Sequence, residues 1–198
     1  MNDSNIDDRD DEIDLSEVPF EPSAFSTWVK YIALLAIMLA LTTVGTAIFL
    51  IPFPTTTGYF NLGDAFVMLS GLLLGPLGGF VAGGGGSATA DILLAYAHFA
   101  PITFVVKGCE GMMVGLITRW SWNQDEIHMW DAVAVIVGAF VMLVGYFSAE
   151  VFLYGFEAAL AELVFVNSIQ VLAGASVTLL VGPTVRNFLR ARLAMTRL

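Results

Sequence analysis

The chain has one cysteine and two histidines among its 198 residues, and this scarcity restricts the metal and redox chemistry that it can support. The single thiol, Cys109, excludes an internal disulfide and any metal cluster built from several cysteines. His98 and His128 do not form the i, i+4 pair with which a helix binds zinc. We therefore expect no metal site and no bound cofactor.

Charged residues are also scarce, since they make up 13% of the chain while hydrophobic residues make up 57% and the mean hydropathy is +0.79. Soluble domains carry about 25% charged residues. The apolar runs reach the roughly 20 residues that a helix needs to cross a bilayer, and the alternating pattern of a transmembrane β-barrel is absent. These features predict an all-α integral membrane protein, multi-pass in the cell membrane, that contacts lipid and binds no nucleic acid.

Most of the net charge of −10 lies in the first 21 residues, which hold nine acids and one base. A polar, charged segment that is poor in aromatic residues is typical of a disordered chain. The segment also lacks the basic start and short apolar core of a secretory signal, so we expect it to be retained. We predict a disordered acidic cytoplasmic tail over residues 1–25 and a single transmembrane domain over residues 26–198.

Four apolar spans are evident, at about residues 28–51, 101–118, 130–154 and 160–181. The region 64–97 is either one long span or two short spans that break at the sequence GPLGG, residues 75–79. Pro76 removes a backbone donor there, and the neighbouring glycines tolerate a tight turn. We therefore predict a break close to Pro76.

The basic residues favour two short spans over one long span, because Lys and Arg beside membrane segments prefer the cytoplasmic side. With six spans and a cytoplasmic N-terminus, the predicted outer loops contain no Lys or Arg. The inner side then holds Lys30, Arg119, Arg186, Arg190, Arg192 and Arg197. With five spans, Arg119 and the C-terminal arginines would lie opposite Lys30. We predict six transmembrane helices with both termini cytoplasmic.

A run of four glycines, Gly83–Gly86, stands where the third helix is expected. Small residues allow membrane helices to pack closely, so we predict that this helix approaches its neighbours almost backbone to backbone. A phosphate-binding P-loop needs G-x-x-x-x-G-K-[ST], and neither Lys30 nor Lys107 stands in that frame. The chain should therefore not bind ATP through this motif.

Polar residues inside a membrane are costly, and each one suggests a functional site. A rise of about 1.5 Å per residue places nearly all of them in the outer half of the predicted bundle and leaves the inner half almost purely apolar. They are Asn61, Asp64, Asp91, Lys107, Glu110, Glu150, Asn167 and Gln170. This distribution favours a pocket that opens to the outside over a path through the whole membrane.

Some of these residues also have a structural interpretation. Lys107 and Glu110 are i, i+3 neighbours that could form an ion pair on one helix face, and Lys107 could instead neutralise Asp91. Asp64 stands where a helix N-cap is expected. The aromatic candidates for stacking on a ligand are Tyr59, Tyr146 and Tyr154.

Three stretches together resemble the substrate-binding S components of energy-coupling factor (ECF) vitamin transporters, and most closely those of the riboflavin type. They are "GYFNLGD", "GLLLGPLGGFVAGGGGSATAD" and "PITFVVKGCEGMMVGLI". The resemblance covers about residues 30–190. It implies six helices with cytoplasmic termini and a non-enzymatic subunit that captures a vitamin or vitamin precursor from outside for ATP-driven uptake.

The resemblance also implies partners and a site. The partners would be a transmembrane coupling subunit and two ATPase subunits, in keeping with the missing P-loop. An A-x-x-x-A face on the first helix docks on the coupling subunit in that family, and Ala36 and Ala40 match it here. The vitamin would bind near the outer face under residues 52–63. The expected substrate-binding residues are Tyr59, Asn61, Asp64, Asp91, Lys107, Glu110, Glu150, Tyr154, Asn167 and Gln170.

The substrate stays open among riboflavin-like, thiamine-precursor-like and pyridoxine-like heterocycles, because aromatic side chains stack on any of them. A stand-alone secondary transporter of a small organic solute is the alternative. Such transporters often consist of two related halves with broken helices at the midplane, and this sequence shows no such halves. A rhomboid-type serine protease needs a G-x-S-G serine and a histidine on its last helix, and the last predicted helix has no histidine.

Overall fold

The computed structural model describes residues 24–48, 51–52 and 59–193. The predicted acidic tail lies outside the described residues, except for residues 24 and 25, which begin the first helix. Half of the loop predicted to cover the binding site, residues 53–58 of 52–63, also lies outside them. The disorder of the tail and the role of that loop therefore stay predictions.

The described chain is almost entirely helical. Its elements, in order, are α1 (Ala24–Ile48), β1 (Ile51–Pro52), β2 (Tyr59–Phe60), α2 (Gly63–Gly79), a π-helical turn (Phe80–Gly84), α3 (Gly85–Leu93), α4 (Ala100–Ile117), a 3-10 turn (Thr118–Trp120), α5 (Met129–Tyr154), α6 (Phe156–Glu162), a second π-helical turn (Leu163–Asn167) and α7 (Ser168–Leu193). Strands β1 and β2 form one short antiparallel pair that joins the end of α1 to the start of α2.

Five helical stretches among the described residues are long and apolar enough to cross a membrane, in agreement with the predicted helical membrane class. They are Thr27–Ile48, Gly63–Leu93, Ala100–Trp120, Met129–Tyr154 and Phe156–Ala191. The second stretch covers the region in which two short spans were predicted. The last stretch is longer than the predicted span at residues 160–181.

The second stretch is not straight, because the backbone reverses at Gly75. This residue has φ 78° and ψ −170°, a conformation open essentially to glycine alone. A Cβ built on Gly79 would lie 2.8 Å from the Cα of Gly71, and one built on Gly83 would lie 2.9 Å from Cγ1 of Val67. In a straight helix, positions 16 residues apart would be about 24 Å apart. Residues 63–74 and 76–93 therefore form an antiparallel hairpin, and the predicted break close to Pro76 is confirmed.

The glycine run brings this hairpin against two other helices. A Cβ on Gly84 would lie 3.1 Å from the Cα of Gly108 on α4. A Cβ on Gly86 would lie 2.7 Å from the carbonyl oxygen of Leu39 on α1. These distances leave no room for a side chain, which confirms that the glycines serve close helix packing. Helix α4 thereby sits between α2, α3 and α5 at the centre of the bundle.

A buried polar cluster lies at the end of the bundle where α5 begins and the C-terminal part of α7 packs. Arg186 is fully buried and donates to Asp131 at 2.9 Å and to the carbonyl oxygen of Gln124 at 3.3 Å. Asp131 also completes a capping box with His128 at the start of α5. This buried polar cluster was not predicted from the sequence. Because Arg186 belongs to a series of C-terminal arginines, the sequence alone suggests a surface cation. Tertiary packing instead pairs it with Asp131, 55 residues away.

Candidate functional site

A cavity of about 60 Å³ opens at the opposite end of the bundle, where α1, α3 and α5 end and α4 and α6 begin. It has room for several water molecules, because one water needs about 10–15 Å³ by this measure. The lining residues are Thr46, Tyr59, Asn61, Ser87, Asp91, Tyr96, Phe99, Thr103, Lys107, Tyr146, Glu150, Glu162, Val166, Asn167 and Gln170. Each described α-helix except α2 contributes at least one lining residue, and α2 supplies Asp64, which pairs with the lining residue Lys107.

The charged floor of the cavity is a buried triad of Asp64, Lys107 and Glu110, of which Lys107 alone lines the cavity and the two acids lie behind it. The Lys107 ammonium pairs with the Asp64 carboxylate and lies 3.2 Å from Glu110 Oε2. Asp64 and Glu110 are fully buried, and Lys107 is 3% exposed. The predicted Lys107–Glu110 pair is confirmed, whereas Asp91 is not the partner of this lysine. Since both acids lie within the protein core, the lysine is needed to offset their charge.

Asp64 does not cap its helix, contrary to the prediction. The N-cap of α2 is Leu62, and no side chain bonds the backbone there as a cap. Asp64 is the second residue of the helix, and its side chain instead pairs with Lys107, 43 positions further along the chain. Asn61 satisfies the helix start instead, because its side-chain oxygen accepts from the Gly63 N–H at 2.8 Å.

A glutamine on α7 ties the start of α2 to the charged floor. The Gln170 side-chain oxygen accepts from the Asn61 side-chain amide at 2.9 Å and from the Asn61 backbone N–H at 3.2 Å. Its Nε2 donates to both oxygens of Asp64 at 3.3 Å. The Gln170 amide is therefore fully used within the protein, and it fixes the segment that follows β2 against α7.

One wall of the cavity carries a tyrosine–carboxylate pair. The Tyr59 hydroxyl donates to Asp91 Oδ1 at 2.7 Å, and its ring lies 5.1 Å from the ring of Tyr96. Burial, together with the neighbouring Asp91 carboxyl, raises the pKa of Tyr59 above its ordinary value of about 10. Tyr59 therefore remains a neutral hydrogen-bond donor at physiological pH. Nearby, the Tyr146 hydroxyl donates to the Thr103 hydroxyl at 3.1 Å.

Another wall combines two acids and an amide. Asn167 Nδ2 donates to Glu150 Oε1 at 3.4 Å, and the Glu162 carboxyl lies close enough to interact electrostatically with Glu150. Asn167 ends the π-helical turn Leu163–Asn167. π-helical turns are rare in proteins, but those that occur are often found at functional sites. The turn has one residue more than an α-helical turn, which redirects the side chains that follow.

Several buried polar atoms around the cavity have no hydrogen-bond partner among the described residues. They are Thr46 Oγ1, Ser87 Oγ, Asp91 Oδ2 and Glu150 Oε2. Each parent side chain is at least nine-tenths buried. Buried polar groups in proteins are normally paired, and unpaired ones call for an explanation. Their position around one cavity indicates a site for a polar ligand.

The cavity brings together most of the residues that the sequence proposed for the site: Tyr59, Asn61, Asp91, Lys107, Glu150, Asn167 and Gln170, with Tyr146 beside them. Asp64 and Glu110 lie behind Lys107 and do not line it. Tyr154 is 38% exposed and stacks on Phe99 with ring centroids 5.8 Å apart, outside the lining.

Sequence reasoning missed several lining residues, namely Thr46, Ser87, Tyr96, Phe99, Thr103, Glu162 and Val166. Hydroxyl residues are common in membrane helices, so Thr46 and Ser87 carry no distinctive signal. Glu162 could have been found, because it is an acid placed one turn before Val166 and Asn167 in an otherwise apolar segment.

Ala36 and Ala40 lie on the outward face of α1. Both are exposed, whereas Met38 and Thr42 on the other side of the same helix are buried against the bundle. The face that Ala36 and Ala40 share is therefore accessible to another helix.

Comparison with known proteins shows two kinds of similarity. Residues 26–187 match the family described as ECF-type riboflavin transporter, S component. A protein of Pyrococcus woesei described only by its place in the gap 3′ region is 42% identical over 127 residues, which cover 64% of this chain and 81% of that protein. The thiamine precursor transporter HmpT of Lactococcus lactis subsp. cremoris is 29% identical over 147 residues, which cover 74% of this chain and 81% of that protein.

Proposed function

Since the chain belongs to the S component family of ECF-type riboflavin transporters, we propose that it captures a vitamin or vitamin precursor from outside the cell and delivers it for ATP-driven uptake through partner subunits. The chain is a multi-pass membrane protein, as its family and its long apolar helices require. The substrate would be a riboflavin-like, thiamine-precursor-like or pyridoxine-like heterocycle. The similarity to a thiamine precursor transporter supports the thiamine-precursor class.

The observation that carries this proposal is the one-ended cavity with its unpaired buried polar atoms. Ligand pockets are concave, and a small number of polar groups orient the ligand within them. Here Tyr59, Tyr96 and Phe99 contribute aromatic rings to the lining, and Asp91, Glu150, Thr46 and Ser87 contribute carboxylate and hydroxyl oxygens. A subunit that only binds and presents its substrate needs such a pocket on one side of the membrane.

The proposed topology has six crossings and both termini in the cytoplasm. The reversal at Gly75 supports two short inserted arms in place of one long span. In this topology the cavity and the exposed Ala97 face outward, and the exposed Asn123 between α4 and α5 faces the cytoplasm. Single cysteines at these two positions, in a Cys109→Ser background, provide a matched pair. A membrane-impermeant thiol reagent applied to intact cells should label Ala97→Cys and spare Asn123→Cys, and the reverse pattern would contradict the topology.

The proposed partners are a transmembrane coupling subunit and two ATPase subunits, with Ala36 and Ala40 as the docking face. Small side chains allow two helix backbones to approach closely, and both alanines lie on the exposed side of α1. The described chain offers no P-loop frame, so the energy would come from the partners.

The decisive experiment is mass spectrometry of small molecules released from the protein purified in mild detergent. We expect a vitamin-like heterocycle at close to one molecule per chain. Uptake into proteoliposomes then separates this function from secondary transport. Uptake should require the coupling subunit, both ATPases and ATP. Uptake by the chain alone under an ion gradient would favour the secondary transporter.

A further inference from the structure

The cavity contains an excess of hydrogen-bond acceptors. Asp91 Oδ2 and Glu150 Oε2 have no hydrogen-bond partner among the described residues, and their side chains are 4% and 6% exposed. A buried acceptor without a donor is unfavourable, so each oxygen favours a ligand that supplies an N–H or O–H group.

Three donors at the cavity, an ammonium, an amide and a phenol, are already engaged, whereas the Thr46 and Ser87 hydroxyls have no partner among the described residues and can donate or accept. Lys107 pairs with Asp64 and Glu110, and it is the only cation that lines the cavity within the described chain. The Gln170 amide donates to Asp64, and the Tyr59 hydroxyl donates to Asp91. A ligand that presents only acceptors could bond these two hydroxyls, but it would leave the Asp91 and Glu150 oxygens without a donor.

The charges that line the cavity also favour a ligand without negative charge. Among the described residues, neither Asp91 nor Glu150 forms an ion pair with a lysine or arginine, while Lys107 is shared by Asp64 and Glu110. A ligand carboxylate or phosphate would be placed beside several like charges at low dielectric, where repulsion is strong. A neutral or cationic ligand avoids this repulsion.

The two free acceptors lie on different elements. Asp91 belongs to α3 and Glu150 to α5, and α4 packs between these helices. Each oxygen needs an N–H or O–H hydrogen of its own, because a well-aligned hydrogen bond joins one hydrogen to one acceptor. Two donors at separate ring positions would satisfy them together.

We propose that the cavity selects a small heterocycle with at least two hydrogen-bond donor groups and no negative charge, and that Asp91 and Glu150 determine this selection by accepting from those donors. This selectivity rests on the proposed function, because it assumes that the cavity is the substrate site. It narrows the substrate class by charge and donor pattern.

The test uses two pairs of compounds that differ in charge on a constant ring. One pair is riboflavin and riboflavin 5′-phosphate. The other is a pyrimidine with an amino and a hydroxymethyl group, and the same pyrimidine with a carboxylate in place of the hydroxymethyl group. Affinities are measured by titration calorimetry on the full-length protein in detergent. In the pair that binds, we expect the uncharged member to bind at least tenfold more tightly.

Glu150→Gln is the informative variant, and Glu157→Gln is its matched control. Both remove one carboxylate from the same end of the bundle, but Glu157 is exposed and does not line the cavity. Glu150→Gln should reduce the affinity ratio within a pair by about tenfold, and Glu157→Gln should leave it within twofold. The ratio is insensitive to partial misfolding, which lowers the binding of both members equally.

The possible outcomes separate the two proposals. Preference for the phosphate or the carboxylate, or an unchanged ratio in Glu150→Gln, would overturn the selectivity and leave the transport function standing. If none of the four compounds binds, the heterocycle found by mass spectrometry tests the selectivity. A heterocycle that carries a carboxylate or phosphate would overturn it. A neutral or cationic heterocycle with at least two hydrogen-bond donor groups would support it. If no heterocycle is found either, the proposed function fails, and the selectivity fails with it.

Discussion

Replacing Lys107 with methionine tests the charged floor most directly. Methionine keeps the length and apolar stem of lysine but removes the ammonium, which leaves the fully buried Asp64 and Glu110 without a cation. Removing one partner of a buried ion pair costs about 3–5 kcal/mol in the free energy of unfolding. For a chain of this size, 1 kcal/mol corresponds to about 2–4 °C in Tm, so we expect Tm to fall by about 6–20 °C.

The assay is thermal unfolding of the detergent-purified protein without ligand, followed by tryptophan fluorescence. Arg119→Met is the control, because Arg119 is exposed beside Trp120 and surface substitutions stay within about 0.5 kcal/mol. A triple variant with Asp64→Asn, Lys107→Met and Glu110→Gln removes all three charges together. It should recover most of the lost stability, because no uncompensated buried charge remains.

Two results would refute this reasoning. The first is a decrease of less than about 1 kcal/mol in the free energy of unfolding of Lys107→Met, which is the contribution expected of a surface ion pair. The second is a triple variant that is no more stable than Lys107→Met. If Lys107→Met keeps its Tm but binds ligand at least tenfold more weakly, a change of about 1.4 kcal/mol, the lysine contacts the ligand and is not needed for the floor.

Three further predictions address the hinge, the amide bridge and the docking face. Gly75→Ala should lower the free energy of unfolding by about 1–3 kcal/mol because its backbone conformation excludes a side chain, and an unchanged Tm would argue against the hairpin. Gln170→Ala should lower the free energy of unfolding by about 1–3 kcal/mol, since Asn61 and Asp64 each lose a buried partner, and it should weaken ligand binding in calorimetry. Wild-type stability and wild-type affinity together would show that the Gln170 bridge supports neither the fold nor the site. Ala36→Leu should keep ligand affinity but lose co-purification with the coupling subunit, and equal recovery of that subunit would make the alanine pattern a coincidence.

The membrane class and much of the site could be predicted from the sequence because each depends on a local rule. A long apolar run must satisfy its backbone internally in lipid, so it forms a helix. Pro76 beside Gly75 cannot continue that helix without a break, and the break is where the sequence placed it. Lys107 and Glu150 stood out because charged residues at membrane depth are rare and costly.

The partners of those residues were decided only by tertiary structure. The helical repeat shows that Lys107 and Glu110 share a face. No local rule pairs Lys107 with Asp64 or Gln170 with Asn61, which lie in distant parts of the sequence. The same limit explains Arg186, whose place in the sequence is that of a surface cation and whose place in the fold is buried against Asp131.

The sequence by itself therefore determined that this chain lies in a membrane, where its second apolar stretch breaks, and which polar residues are unusual at membrane depth. The tertiary structure decided which of those residues meet around one cavity, and it added the ordinary residues Thr46, Ser87 and Phe99 to the lining. The physical reason is that helix formation and the cost of buried charge act over a few residues or on one side chain. The rotation and register of one helix against another depend on packing across the whole bundle, as the contact of Gly84 with Gly108 illustrates.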